Sequence, residues 1–180
     1  MKDKNILLGV SGGIAAYKNC SLVNALKTDN NIQVVMTKNA MEFIAPLTFE
    51  TLSKRHVITD TFKNPTPEII PHIYYPQEWA DIFVISATAN IIGKITAGLA
   101  DDILSTMAIA ATVPVIIIPS MNTHMYENKI VQNNINKLKE FGFYFIEPGE
   151  GLLACGDIGK GKYPEIKNIL ENIKNILDKE

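Results

Sequence analysis

A three-layer α/β fold, with a mostly parallel sheet covered by helices on both faces, is predicted by three features of the sequence. Short apolar runs of strand length alternate with longer helix-period stretches, the pattern of repeated β-α-β units. Small and polar residues follow several of those runs, where strand-to-helix turns belong. The last forty residues hold a clean amphipathic helix, with Ile166, Ile169, Leu170, Ile173, Ile176 and Leu177 at three- and four-residue steps. That stripe marks a packing helix.

In chain order, strands are expected at Asn5–Val10, Ile32–Met36, Asp81–Ile85, Val115–Pro119 and Tyr144–Ile146. Helices are expected between them at Ile14–Lys27, Asn39–Phe43, Asn90–Ala97, Asp102–Ala111 and Lys129–Phe141. Thr61 to Pro76 carries Pro65, Pro67, Pro71 and Pro76 and reads as a loop, because proline lacks the donor that ladders and helix interiors need. Loops this long inside a compact domain are usually functional, and His72 lies in this one.

The chain has 180 residues, the length of one core-bearing domain spanning residues 1–180. With 47% hydrophobic and 20% charged residues it falls in the ordinary globular class, and a net charge of −2 gives no basic field for nucleic acid. No apolar run is long enough for a membrane span, and the N-terminal apolar stretch is too short for a secretory signal, so the expected location is cytoplasmic. Two cysteines make no disulfide framework, and without a CxxC pair or a His/Cys cluster no metal site is expected.

Several segments hold chemistry at expected strand ends. Ser11-Gly12-Gly13-Ile14 sits where exposed backbone N–H groups and a helix dipole favour a phosphate, yet it matches neither the nucleoside-triphosphate loop nor the dinucleotide fingerprint. A plain tight turn explains it equally well. Thr37 and Ser86-Ala87-Thr88-Ala89-Asn90 fall on the same edge, which favours a mononucleotide crevice, although Asn90 also reads as a helix cap. Asn122, after Pro119-Ser120-Met121, reads by itself as a cap, and Met125 as core filler. His56, His72 and His124 each read as surface histidines, and Cys20 as a small hydrophobe in a helix. Cys155 differs, because its segment, GLLACGDIGKG, is polar and glycine-rich.

Together these pieces resemble the homo-oligomeric flavin-containing cysteine decarboxylases. The resemblance runs from the first strand to about Tyr163. It is carried by Ser11-Gly12-Gly13-Ile14, His72-Ile73, Trp79-Ala80-Asp81, the Ala87 to Ile95 segment and Gly98-Leu99-Ala100-Asp101-Asp102, then by Pro119-Ser120-Met121-Asn122 with Met125, and Leu153-Ala154-Cys155-Gly156-Asp157 with Gly159. It implies a flavodoxin-like fold that binds FMN, as a homotrimer or an assembly of trimers with the flavin near a subunit boundary. The Leu-Ala-Cys-Gly segment points within the family to the branch that decarboxylates 4′-phosphopantothenoylcysteine to 4′-phosphopantetheine in coenzyme A synthesis. A peptidyl-cysteine decarboxylase and a non-catalytic regulatory subunit are the alternatives.

By the same resemblance His72 is catalytic, Asn122 contacts the substrate carboxylate with Met125 in the same motif, and Cys155 donates the proton of the final reduction. FMN contacts fall on Ser11, Gly12, Gly13, Ile14, Thr37, Ala87, Thr88, Ala89 and Asn90. The chain departs from the family pattern at Ser86, where Pro is usual, and at Ile91, where Thr is usual, which removes one expected hydroxyl contact to the flavin. Nothing follows Glu180, so a separate ligase chain is expected to supply the substrate.

The implied chemistry explains the residue types. Loss of CO2 directly from a cysteine leaves a carbanion with nowhere to delocalise. Withdrawal of two electrons from the thiol end gives a thioaldehyde whose C=S lies β to the carboxylate, so decarboxylation yields a delocalised ene-thiolate. His72 suits a base or orienting group at the thiol. The glycines around Cys155 are expected to let its loop close over substrate and reopen, and Lys160 and Lys162 are either solvated or placed to meet the substrate phosphate.

Overall fold

The computed structural model describes residues 1–63 and 68–179, so the expected loop prolines Pro65 and Pro67 lie outside it. Strands β1 (Asn5–Val10), β2 (Asn31–Met36), β3 (Ile82–Ala87), β4 (Val115–Pro119) and β5 (Tyr144–Phe145) form one parallel sheet in the order β2-β1-β3-β4-β5. Its neighbours are in regular register, for example Ile6 beside Ile32 and Ile82, and Phe83 beside Val115. Parallel pairing requires crossovers, and helices α1 (Asn19–Leu26), α2 (Pro46–Ser53), α3 (Pro71–Tyr74), α4 (Ala89–Thr96), α5 (Ile103–Ala110), α6 (Thr123–Glu127), α7 (Lys129–Glu140) and α8 (Ile166–Leu177) provide the covering layers.

Alternate residues of β1 show that both faces are covered. Ile6, Leu8 and Val10 enter a core with Leu22, Val23, Leu26, Ile169 and Ile173, on the α1 and α8 side. Leu7 enters the opposite core with Ile92, Leu104, Met107 and Leu138, on the side of α4, α5 and α7. Each such fully buried aliphatic side chain contributes about 1.5–3 kcal/mol relative to exposure. The Ile166–Leu177 stripe forms a helix with the expected bounds, and Ile169, Ile173 and Ile176 are its buried face.

Three expectations are corrected. The predicted helix Ile14–Lys27 begins as a 3-10 turn, Ile14–Lys18, and becomes α-helical only from Asn19. The end of the proline-rich loop is ordered: Pro71 opens α3, and a π-helical turn follows at Tyr75–Trp79. Pro71 and Pro76 sit in the first turns of those helices, where the missing N–H has no intrahelical role. The segment around Cys155 is not a free loop but an antiparallel hairpin of β6 (Gly149–Leu152) and β7 (Ile158–Lys162). Helix α2, which opens on Pro46 and ends on Lys54 in the left-handed region at φ 61°, has no counterpart in the sequence reading.

Candidate active site

The strand order reverses between β1 and β3, since β1 leads to β2 on one side while β3 and β4 lie on the other. At such a switch point the first turns of successive helices diverge and leave a crevice at the carboxyl ends of the strands. A cleft of about 820 Å³ opens there. Ser11, Gly12, Gly13 and Ile14 line it after β1, Thr37, Lys38 and Asn39 after β2, Thr88, Ala89 and Asn90 after β3, and Ser120, Met121, Asn122 and Met125 after β4. Residues Leu152 to Cys155 of the hairpin and Gly161 to Tyr163 close one side.

The Ser11 hydroxyl builds this crevice. Ser11 Oγ donates to the Ser86 carbonyl at 2.8 Å and accepts from the Thr88 N–H at 2.9 Å, tying the ends of β1 and β3 together. This also accounts for Ser86: its role is carried by a backbone carbonyl. Thr88, not Asn90, caps α4, accepting from the Ile91 N–H. Ile91 is buried in the core, and Asn90 is left exposed at the rim. Thr37 Oγ1 caps the turn Lys38–Glu42 by accepting from Ala40 N at 3.2 Å, and its O–H remains available to donate. Ala87 does not line the cleft. Its side chain is buried, and its carbonyl accepts from Ser120 N at 3.0 Å.

Asn122 both caps a helix and lines the cleft. Its Oδ1 accepts from His124 N at 2.8 Å, which caps α6. That leaves the amide nitrogen, which donates to Asp157 Oδ2 at 2.7 Å and Cys155 Sγ at 3.2 Å. The Cys155 thiol in turn donates to Asp157 Oδ2 at 3.4 Å. Asn122, Cys155 and Asp157 thus form one network beside the cleft. The Asn122 amide, and next the Cys155 thiol, hold the half-buried Asp157 carboxyl below the usual carboxylate range. Asp157 belonged to a motif that carried the resemblance, but its partners appear only in space.

The hairpin docks through backbone contacts. Met121 N donates to Gly161 O at 3.0 Å, and β7 lies so close to the β4–α6 segment that a Cβ on Gly159 would meet Thr123 Oγ1 at 2.6 Å. The glycines of β7 therefore serve close approach, while the turn itself is tightened by Leu153 N to Asp157 O at 2.8 Å and Gly156 at φ 92°. Below it, buried Tyr163 donates to Asn19 Oδ1 at 2.9 Å, linking the hairpin's exit to α1. Lys162 lines the cleft with Lys18, Lys38 and Lys94; Lys160 does not. Lys94 is paired with Asp101 and Asp102, each at 2.7 Å.

His72 is not among the residues lining the cleft. It lies on α3, and the segment that follows leads to the opposite edge of the sheet, where Pro76 O accepts from Thr112 N and Gln77 donates to Ala110 O. Its Nδ1 is buried and has no hydrogen-bond partner among the described residues. His56 and His124 are exposed, as expected, and partial burial pushes the Cys20 thiol up, in keeping with an inert packing role.

The flavoprotein family model matches residues 1–178. The chain belongs to the flavoprotein family. It is 49% identical over 173 residues to the coenzyme A biosynthesis bifunctional protein CoaBC of Bacillus subtilis, covering 95% of this chain but only 42% of that protein. It is 42% identical to the probable phosphopantothenoylcysteine decarboxylase of Streptococcus mutans, covering 97% of this chain and 99% of the relative. Among solved structures, a PPC decarboxylase mutant complexed with pantothenoylaminoethenethiol superposes with a TM-score of 0.86 at 28% identity, covering 98% of this chain and all of that one. The FMN-dependent cysteine decarboxylase SpaF superposes with a TM-score of 0.85 at 29% identity, covering 98% and 96%.

A flavin is thus the cofactor of this family member, and the cleft fits one. Its volume is that of a small-molecule site; Ile14, Met121, Met125, Leu152 and Leu153 offer apolar surface for a flat ring, and the Ser11–Gly13 turn, Thr37 and Thr88 add polar groups to the lining. Gly12 is the sensitive point of that turn, because an added Cβ would lie 2.4 Å from Asn39 Cβ and 2.8 Å from its carbonyl carbon. Gly12→Ala must push the Lys38–Glu42 turn away, an overpacking cost of about 1–3 kcal/mol. Flavin affinity should fall by about tenfold or more, roughly that cost taken from binding; titration by flavin fluorescence checks it, and wild-type affinity would refute it.

Proposed function

We infer that this chain is a carboxy-lyase that uses FMN to decarboxylate 4′-phosphopantothenoylcysteine to 4′-phosphopantetheine in coenzyme A biosynthesis. The observation that carries the reading is the convergence of Asn122, Met125 and Cys155 on the same cleft as the Ser11–Ile14 turn and Thr88, in a chain that matches a phosphopantothenoylcysteine decarboxylase over almost its whole length. The chain spans about 42% of the length of its bifunctional relative, whose name points to a second activity. A phosphopantothenate–cysteine ligase activity, of the kind the bifunctional relative's name points to, would supply the substrate.

When bound, the flavin supplies the sink and later the source of two electrons. The protein's own groups do the rest. The strand-end turns hold the cofactor, with Thr37 offering its hydroxyl and Ala89 and Asn90 lying at the rim. The Asn122 amide receives the substrate carboxylate, and Met125 packs beside it. The Cys155 thiol gives a proton to carbon after CO2 has left, and its sulfur is reprotonated from solvent.

His72 would act from a second copy of the chain. Its buried, unpartnered Nδ1 and its absence from its own chain's cleft support a site completed at a subunit boundary, as in a homotrimer. Mixing inactive His72→Asn and Cys155→Ser chains should then restore activity, to about a quarter of wild type if chains pair at random across each boundary. No recovery in mixed oligomers would place both groups in one subunit.

The reading is tested by the flavin spectrum before and after 4′-phosphopantothenoylcysteine is added, with CO2 and product mass measured in parallel. Bleaching, recovery and equimolar 4′-phosphopantetheine are expected. CO2 from a cysteine-terminated peptide but none from the phosphopantothenoyl substrate would move the chain to the peptidyl-cysteine class.

A further inference from the structure

Both donor sites of the Asn122 amide are taken by the protein itself. One bond runs to the Asp157 carboxylate at 2.7 Å and the other to Cys155 Sγ at 3.2 Å, while Oδ1 is held by the helix cap. An amide NH2 has two hydrogens and no more. A carboxylate entering to meet Asn122 therefore finds another carboxylate in its place, and two like charges on one amide repel. Asp157 and Cys155 are also mechanically joined: they stand two residues apart in a tight turn closed by Leu153 N to Asp157 O, and the thiol donates to the same carboxylate oxygen.

We propose that Asp157 is a positioning residue that stands in for the substrate carboxylate: it holds Asn122 in the free enzyme, yields the amide when substrate binds, and returns to it when the substrate carboxylate departs as CO2, bringing Cys155 to the reacting carbon. This rests on the reading that Asn122 receives the substrate carboxylate. The exchange orders the reaction. While the carboxylate is present, the hairpin tip is displaced and the thiol is kept from the substrate. Once CO2 is lost, the amide donors have no acceptor except Asp157, and its return carries the proton donor in. Because Gly159 and Gly161 pin β7 to the β4–α6 segment, the movement is confined to the Leu153–Asp157 turn.

The test uses the flavin-loaded full chain. Asp157→Asn keeps the size of the side chain and removes its charge. KM for 4′-phosphopantothenoylcysteine should fall about three- to tenfold as the competitor is weakened, and CO2 should outrun 4′-phosphopantetheine by a similar factor because Cys155 is not drawn back. Asp157→Glu should bring the two products closer to equal yield. A residue that merely shaped the turn would lower both yields in step and leave KM unmoved or raised, and that result overturns the proposal.

A second readout needs no turnover. In wild-type protein, iodoacetamide should label Cys155 several-fold faster with the thiol-free carboxylate analogue 4′-phosphopantothenoylalanine bound than with 4′-phosphopantothenoyl-ethylamine, which lacks the carboxylate. Equal labelling overturns the proposal while leaving the decarboxylase assignment intact. Wild-type protein that evolves no CO2 from the phosphopantothenoyl substrate removes the assignment and the proposal together.

Discussion

Serine in place of Cys155 will leave an enzyme that releases CO2 in a single burst and then stops, with its flavin bleached and an ene-thiol bound. The change is one atom, and serine can keep both contacts of the thiol, accepting from Asn122 Nδ2 and donating to Asp157 Oδ2. The hairpin therefore stays docked, and what is lost is acidity, because an aliphatic alcohol is a far weaker acid than a thiol. Removal of a positioned proton donor costs about 10²–10⁴ in rate, and that loss should fall on formation of 4′-phosphopantetheine while the first CO2 still appears. Rapid-quench measurement of CO2 and product, with absorbance followed in parallel, checks it. Full turnover by the variant would exclude Cys155 as the donor.

The sheet was legible in the sequence because its strands are short, apolar and buried on both faces. Asn5–Val10 and Val115–Pro119 have the predicted bounds. Helix α8 was equally plain, since one apolar stripe decides it. Elements set by tertiary contact were not. The hairpin β6–β7 lacks alternating apolar residues, and its glycines suggested a mobile loop, when the nearness of Met121 and Thr123 is what requires them. Helix α3 was concealed by proline, which breaks a helix interior but is tolerated in a first turn.

The site divides along the same line. Residues at strand ends were placed by the topology, and Gly12, Gly13, Ile14, Thr37, Thr88, Ala89 and Asn90 all line the cleft. Ser11, read as a cofactor contact, also lines the cleft, and what the sequence did not show is that its hydroxyl joins β1 to β3. Ala87 was carried along by its neighbours, but strand alternation points its side chain into the core. Asp157 has no signal in spacing alone, because its partner Asn122 is 35 positions away.

Gly161→Ala should separate the hairpin from the rest of the molecule. At φ 132° the backbone is in a region that L side chains rarely adopt, at a cost of about 1–3 kcal/mol, and the new Cβ would stand 2.2 Å from Met121 O and 3.3 Å from its carbonyl carbon. That obstacle is backbone, so no rotamer change relieves it. The Met121 N–H bond to Gly161 O ties the same two residues together and must lengthen or break. The likewise left-handed Gly98, at φ 70° with nothing within 4 Å of an added Cβ, isolates the conformational cost, and Gly98→Ala should lose only about 1 kcal/mol. The difference between the two variants is therefore the clash together with the greater backbone strain at φ 132°. Gly161→Ala should retain most of its flavin affinity, since most of the expected contacts are in the turns that follow β1, β2 and β3, yet form 4′-phosphopantetheine about a hundredfold more slowly, the effect of moving a catalytic group by roughly 1 Å. Thermal unfolding of both variants, together with CO2 and product yields, separates these effects: near-normal product formation by Gly161→Ala would mean that Cys155 reaches the substrate without the docked hairpin.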